Sequence, residues 1–183
     1  MTDSTLFYHV FEDCLWIRCA SRGSFINSPT LKTIAEKYLD NGGKTVVVDL
    51  EVCPGVDSTF MGTLAGLARR AMARGASIDI ASPTPRTRAA MEGLGLDMLV
   101  QMDPIGAFWD EDKEQRRAIL GMERGSGESP QSDFSELDRT RHVLEAHKVL
   151  RSMNPQNAEA FGYVCETLEE DLLRQGGAEK DAH

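Results

Sequence analysis

The chain has 183 residues, 41% of them hydrophobic and 27% charged, with a formal net charge of −9. Its length suits one globular domain of roughly 100–150 residues plus an appendage, and no apolar run is long enough to cross a bilayer, so no membrane insertion is expected. With 20 basic against 29 acidic residues, and basic clustering confined to "LARRAMAR", the composition argues against a nucleic-acid partner, because phosphate-backbone binding needs concentrated Lys and Arg.

The first residues, "MTDSTLFYHVFEDC", lack a basic segment followed by an apolar one, so a cytoplasmic protein without a secretory signal is expected. Apolar and polar side chains alternate around Glu12-Asp13, which predicts a β-hairpin with strands at residues 6–10 and 15–20. In "SPTLKTIAEKYLDNGG" Ser28 is placed to cap a helix, Pro29 takes the favoured first position, and Asn41-Gly42-Gly43 ends it. "KTVVVDL" is a short β-branched run of the kind covered on both sides. From Ser58 to about Arg74, Met61, Leu64, Ala65, Ala68 and Met72 recur at helical spacing, and Gly75 stops them. "ASIDIAS" then predicts a strand, "TPRTRAAMEGLGL" a helix, "MLVQM" a last strand, and "DPIGAFWDEDKEQRRAIL" a helix beginning near Asp103-Pro104.

Strands alternating with helices of this length imply a mixed, mostly parallel sheet in an α/β layered fold, opened by an antiparallel hairpin. This domain is expected to span residues 1–120. Residues 121–135, rich in Gly, Ser, Glu and Pro, read as a flexible linker. An α-helical hairpin follows at 136–175: Leu137, Val143, Leu144, His147 and Leu150 mark its first helix. Phe161, Val164, Cys165, Leu168 and Leu172 stripe the second. Two helices alone cannot bury both stripes. They must dock on the α/β domain, on a second copy as a homodimer, or on a partner. Residues 176–183 read as a disordered tail. Charge is uneven, with 13 basic and 16 acidic residues in 1–120 and 7 against 13 in 121–183.

Enzyme signatures are sparse. "GGKT" at residues 42–45 precedes a strand and lacks the first glycine of a phosphate loop. His142 and His147, five apart, do not stack on one helix face and have no third ligand, so they read as surface or packing histidines. Cys14, Cys19, Cys53 and Cys165 form no C-x-x-C pair and read as reduced, buried thiols. His9 has no evident nucleophile partner, and the pairs Glu111-Asp112 and Glu169-Glu170 fall in solvated charge runs. No catalytic residue, metal or cofactor is expected, and the chain is not expected to be an enzyme.

One stretch stands apart, "VDSTFMG" at residues 56–62, where a buried strand hands over to a helix. Asp57 or Ser58 can accept hydrogen bonds from the free N–H groups of the helix start, which is capping and needs no function behind it. A hydroxyl there has a second property. Phosphorylated, it would place a dianion against the positive end of the helix dipole and add about −1.5 to −2 charges to whatever surface docks there.

The order hairpin, helix, strand, "DST" opening a helix, and then "GASIDIASPTPRTRAAMEGLGLDMLV" resembles the STAS domain (sulfate transporter and anti-sigma factor antagonist) over residues 6–112, especially the stand-alone anti-anti-sigma factors. The C-terminal helices lie outside the resemblance. It implies a STAS-like fold and a phosphorylatable regulator of transcription that binds a partner protein, an anti-sigma factor that is also a serine kinase. Ser58 would be the phosphoacceptor, with Asp57, Thr59, Phe60 and Met61 contributing to partner binding and Gly62 in the first helical turn. The family usually has glycine where Phe60 stands, so the ring either closes the surface or anchors a different partner. An acidic residue usual near the first helix is replaced by Ile26-Asn27. The alternative is an unphosphorylated STAS interaction or scaffold module of a signalling or transport complex, docking through the acidic hairpin.

Overall fold

A computed structural model describes residues 6–122 and 134–180. Five strands, β1 (Leu6–Val10), β2 (Leu15–Cys19), β3 (Thr45–Asp49), β4 (Ser77–Ala81) and β5 (Gln101–Met102), form one sheet in the order β1-β2-β3-β4-β5. The first pair is antiparallel and the rest are parallel. Between them run α1 (Ser28–Asp40), α2 (Ser58–Met72) and α3 (Pro85–Gly93), followed by α4 (Lys113–Met122), α5 (Glu136–Arg151) and α6 (Pro155–Lys180). This is the mixed, mostly parallel STAS-like architecture expected.

Period-two alternation sorts the strand residues onto two buried faces. Leu15, Ile17, Val46, Val48, Ile78 and Ile80 face the main core, shared with Leu31 and Ala35 of α1 and Leu64 and Ala68 of α2. Trp16, Val47 and Ala81 face the other way, beneath Trp109 and Leu120. That second face carries two acids. Asp49 is fully buried and is held by Arg117 Nε and Nη2 at 2.9 and 3.0 Å and by Arg18 Nη1 at 3.1 Å. A carboxylate so placed is tolerated only with its charge paired. Asp79 accepts from Trp109 Nε1 at 2.8 Å, and its burial raises its pKa.

Two stretches differ from the sequence expectation. The helix expected from Asp103 starts only at Lys113. Asp103 is pinned at φ 45°, its carboxylate accepting from Ser82 N–H at 2.7 Å and from Arg88 Nη2 at 2.6 Å. Gly106 turns the chain again at φ 75°, and the detour carries Trp109 down to Asp79. Only Gln101–Met102 of "MLVQM" is strand. Leu96–Met98 is a 3-10 turn, and Leu96 and the following Val100 are both buried in the core.

The expected linker falls mostly on residues 123–133, outside the described residues. The second hairpin helix continues past 175 to Lys180, and residues 181–183 of the expected tail lie outside the described residues.

Candidate functional site

The start of α2 is built by two loops laid side by side. Gly23 N–H donates to Gly55 C=O at 3.0 Å and Asp57 N–H to Gly23 C=O at 2.9 Å. Asp57 is extended and caps the helix: Oδ1 accepts from Phe60 N–H at 2.8 Å, while Oδ2 accepts from Phe25 N–H at 2.9 Å. One carboxylate thereby fixes the helix start and its distance from the 23–25 loop. Ser58 is the first residue of α2.

Side chains following Ser58 point inward. Thr59 and Met61 are buried and Phe60 is fully so, its ring lying where a Cβ on Gly23 would approach to 2.9 Å. The close approach of that ring requires glycine at position 23. Of the two roles the sequence leaves open for Phe60, the packing is that of a ring closing the surface. In this conformation it is a core side chain.

Ser58 itself is half-buried, and what covers it is α5. Its Oγ lies 3.0 Å from His147 Nε2, and His147 Nδ1 lies 2.8 Å from Val143 C=O. A carbonyl can only accept, so Nδ1 carries a proton. In the neutral ring Nε2 then accepts from the Ser58 hydroxyl. One turn earlier on α5, His142 Nε2 is 2.9 Å from Ser28 Oγ and 3.1 Å from Thr63 Oγ1. Thr63 donates its own proton to Thr59 C=O at 2.8 Å, so in the His142–Thr63 contact the ring nitrogen donates. Burial, with the nearby Lys32 charge, brings His142 down to about 4, against the smaller opposing effects of Glu145 and Asp57.

Between the two histidines, α5 crosses α2 at Gly62, where a Cβ would run into the Ala146 backbone. Lys32 Nζ meets Glu145 at 2.8 Å, and Arg69 Nη1 donates to Ser152 Oγ at 2.8 Å. A groove of about 230 Å³ remains beside this crossing, lined by Lys32, Thr63, Gly66, Arg70, His142 and Glu145 among others.

Ser28 is a correction to the sequence reading. It lies inside α1, whose cap position is Asn27. The Asn27 amide instead holds the preceding loop, accepting from Ser24 N–H at 2.8 Å and donating to Arg22 C=O at 3.0 Å, which leaves the Ser28 hydroxyl for His142. Nor does any local pattern signal that His142 and His147 both face the domain. Five residues turn a helix about 140° at 3.6 residues per turn, and both reach hydroxyls because α5 lies between two helices, with Ser28 on α1 and Ser58 and Thr63 on α2.

All four cysteines are buried with free thiols. No helix among the described residues is long and apolar enough to cross a membrane, and among those residues no group of three His, Cys, Asp or Glu side chains could hold a metal.

The family model described as Mlab, STAS domain, matches residues 22–101, which spans both loops, α1 and α2. No curated protein matches the sequence. Among solved structures, a candidate anti-sigma factor antagonist from Thermotoga maritima is 19% identical with a TM-score of 0.50, covering 61% of this chain and 94% of that one. The anti-sigma factor antagonist SpoIIAA in its unphosphorylated form is 17% identical, with a TM-score of 0.48, over 63% of this chain and 99% of that one. The phosphorylated form of Bacillus SpoIIAA gives 17% and 0.47, over 62% and 98%. At these identities the likeness is one of fold.

Proposed function

We propose that this chain is an anti-sigma factor antagonist-like regulator that works by capturing a protein partner and catalyses nothing itself, a reading supported by the match of the STAS family model to residues 22–101. The partner is a kinase-type anti-sigma factor. Ser58 is the phosphoacceptor, and the half-buried Asp57–Ser58 start of α2, seated on the buried Thr59, Phe60 and Met61, is the heart of the contact. The observation that carries this reading is the position of the Ser58 hydroxyl at the first residue of α2, behind an Asp57 cap. Phosphate there meets unpaired N–H groups and the positive end of the helix dipole. The domain is little disturbed while the charge of its contact surface changes by about −1.5 to −2.

The Ser58–His147 pair resembles the first two members of a nucleophilic catalyst. His147 Nδ1, however, donates to a neutral backbone carbonyl and not to a carboxylate that would stabilise the charged ring, and Ser58 does not line the neighbouring groove. The pair serves docking.

The experiment compares partner capture from the native host by wild type, Ser58→Ala and Ser58→Asp chains. Ser58→Ala is expected to hold its partner constitutively and Ser58→Asp to release it. Equal capture by all three would refute the switch.

A scaffold role without phosphorylation is the second reading. What favours it is that α5 covers Ser58, while Tyr163 and Leu173 on α6 are 79% and 77% exposed. There, Tyr163→Lys with Leu173→Lys abolishes capture, and the Ser58 variants leave it unchanged.

A further inference from the structure

We infer that the face of α1 and α2 beneath α5 is the partner's docking surface, held in cis by the chain's own hairpin. The partner that fits it is a helix with a small residue against Gly62 and hydrogen-bonding side chains against Ser28, Thr63 and Ser58. This rests on the proposed reading of Ser58, and it extends the contact from one turn to a whole helix face. It also makes release of the hairpin a precondition of capture.

Two helices can approach at Gly62 only if neither carries bulk there, and the Ala146 backbone already stands where a Cβ would be. A bulky partner residue is excluded by the same geometry. Around the crossing the face offers hydroxyls: Ser28 and Thr63 on one side, both bonded by His142, and Ser58 on the other, bonded by His147. Hydroxyls donate and accept, so those now bonded by His142 and His147 can bond polar side chains of an incoming helix instead. Lys32 and Arg70 border the groove, and Lys32 is held by Glu145. An acidic residue on the incoming helix would take over that role.

The hairpin is also seated away from this polar region. Leu150 is fully buried in the main core, with Val149, Met153 and Phe161 packed against it, and Asn157 Nδ2 donates to Leu94 C=O at 3.0 Å. The half of α5 over Ser58 is thus the polar half, and the half that anchors it lies a turn further on. His147 Nε2 stands 3.0 Å from the Ser58 oxygen, so a kinase and the hairpin compete for access to it.

The test uses the full chain with Ser58→Cys as a reporter, its thiol half-buried beside His147 while α5 is docked and reacting faster with iodoacetamide when α5 is away. The native cysteines are 0 or 1% exposed and supply the slow background. Two further substitutions loosen α5 by different means, Gly62→Ala through steric clash and His142→Ala through the removal of its hydrogen bonds. Each is expected to raise the labelling rate by about tenfold or more, since weakening the packing or hydrogen bonding of one element shifts its own opening equilibrium, with amide protection of the sheet unchanged. Labelling of the parent reporter at the rate of a free thiol would overturn the inference, as would unchanged labelling in both loosened variants. The kind of partner is tested with a fluorescent synthetic peptide of residues 134–155 added to the His142→Ala chain. Saturable binding, lost when the peptide carries Ala146→Leu, is expected; no binding, or equal binding of both peptides, would overturn the fit. These readouts need no phosphate and no kinase, so the switch at Ser58 and the masking of this face stand or fall separately.

Discussion

Acid is expected to loosen α5 from the domain, and the size of the effect follows from His142. Its ring is buried between Ser28 and Thr63, and its pKa falls from the ordinary 6.5 to about 4, chiefly by burial, with Lys32 adding to it and Glu145 and Asp57 opposing. The docked form therefore disfavours the proton that the undocked form takes up. Stability from this group is complete above about pH 6.5 and is lost as pH falls toward about 4. At about 1.4 kcal/mol per tenfold change in proton affinity the loss is about 3–4 kcal/mol, or about three-hundredfold in the docking equilibrium. Amide exchange of α5, corrected for its intrinsic dependence on pH, measures this directly. His142→Gln keeps a hydrogen-bonding side chain but cannot titrate, so its α5 protection should lose most of this pH dependence. If wild type and His142→Gln lose protection in parallel, the assignment to His142 is wrong.

Other substitutions probe what holds the site in place. Arg117→Ala leaves Asp49 buried with its main partner removed and should cost about 3–5 kcal/mol in urea denaturation, whereas an exposed pair such as Arg174 with Asp171 should contribute under about 1 kcal/mol. Asp57→Ala removes the acceptor for Phe60 N–H and Phe25 N–H and should lower stability by about 1–2 kcal/mol, with the loss of amide protection centred on residues 23–26 and 58–61. Gly23→Ala forces a methyl onto the Phe60 ring and should cost about 1–3 kcal/mol by thermal melting. Adding Phe60→Leu to it should return part of that loss, which two independent cavity or strain effects would not do.

Much of the fold was legible because hydrophobic periodicity carries it. "TVVVD" can only be a strand buried on both faces, and the apolar spacing of α2 and of the C-terminal helices declares their inner stripes. Residues 96–112 were not legible, since they obey tertiary bonds that no local pattern encodes: Asp103 held at positive φ by Ser82 and Arg88, and Trp109 drawn to Asp79. At the site, the Asp57 cap and the place of Ser58 could be read from "VDST". The burial of Phe60 could not, because the room for its ring is made by a glycine 37 positions earlier. Nor could the cover over Ser58, which depends on histidines 84 and 89 residues further along reaching hydroxyls on two different helices.

The most direct measurement of the switch is the intact mass of the chain purified from its native host, both free and bound to its partner, with the modified residue mapped in each pool. A single phosphate on Ser58 in the free pool, and none in the bound pool, is the predicted result. An unmodified Ser58 in both pools, or phosphate equally present in both, would contradict it.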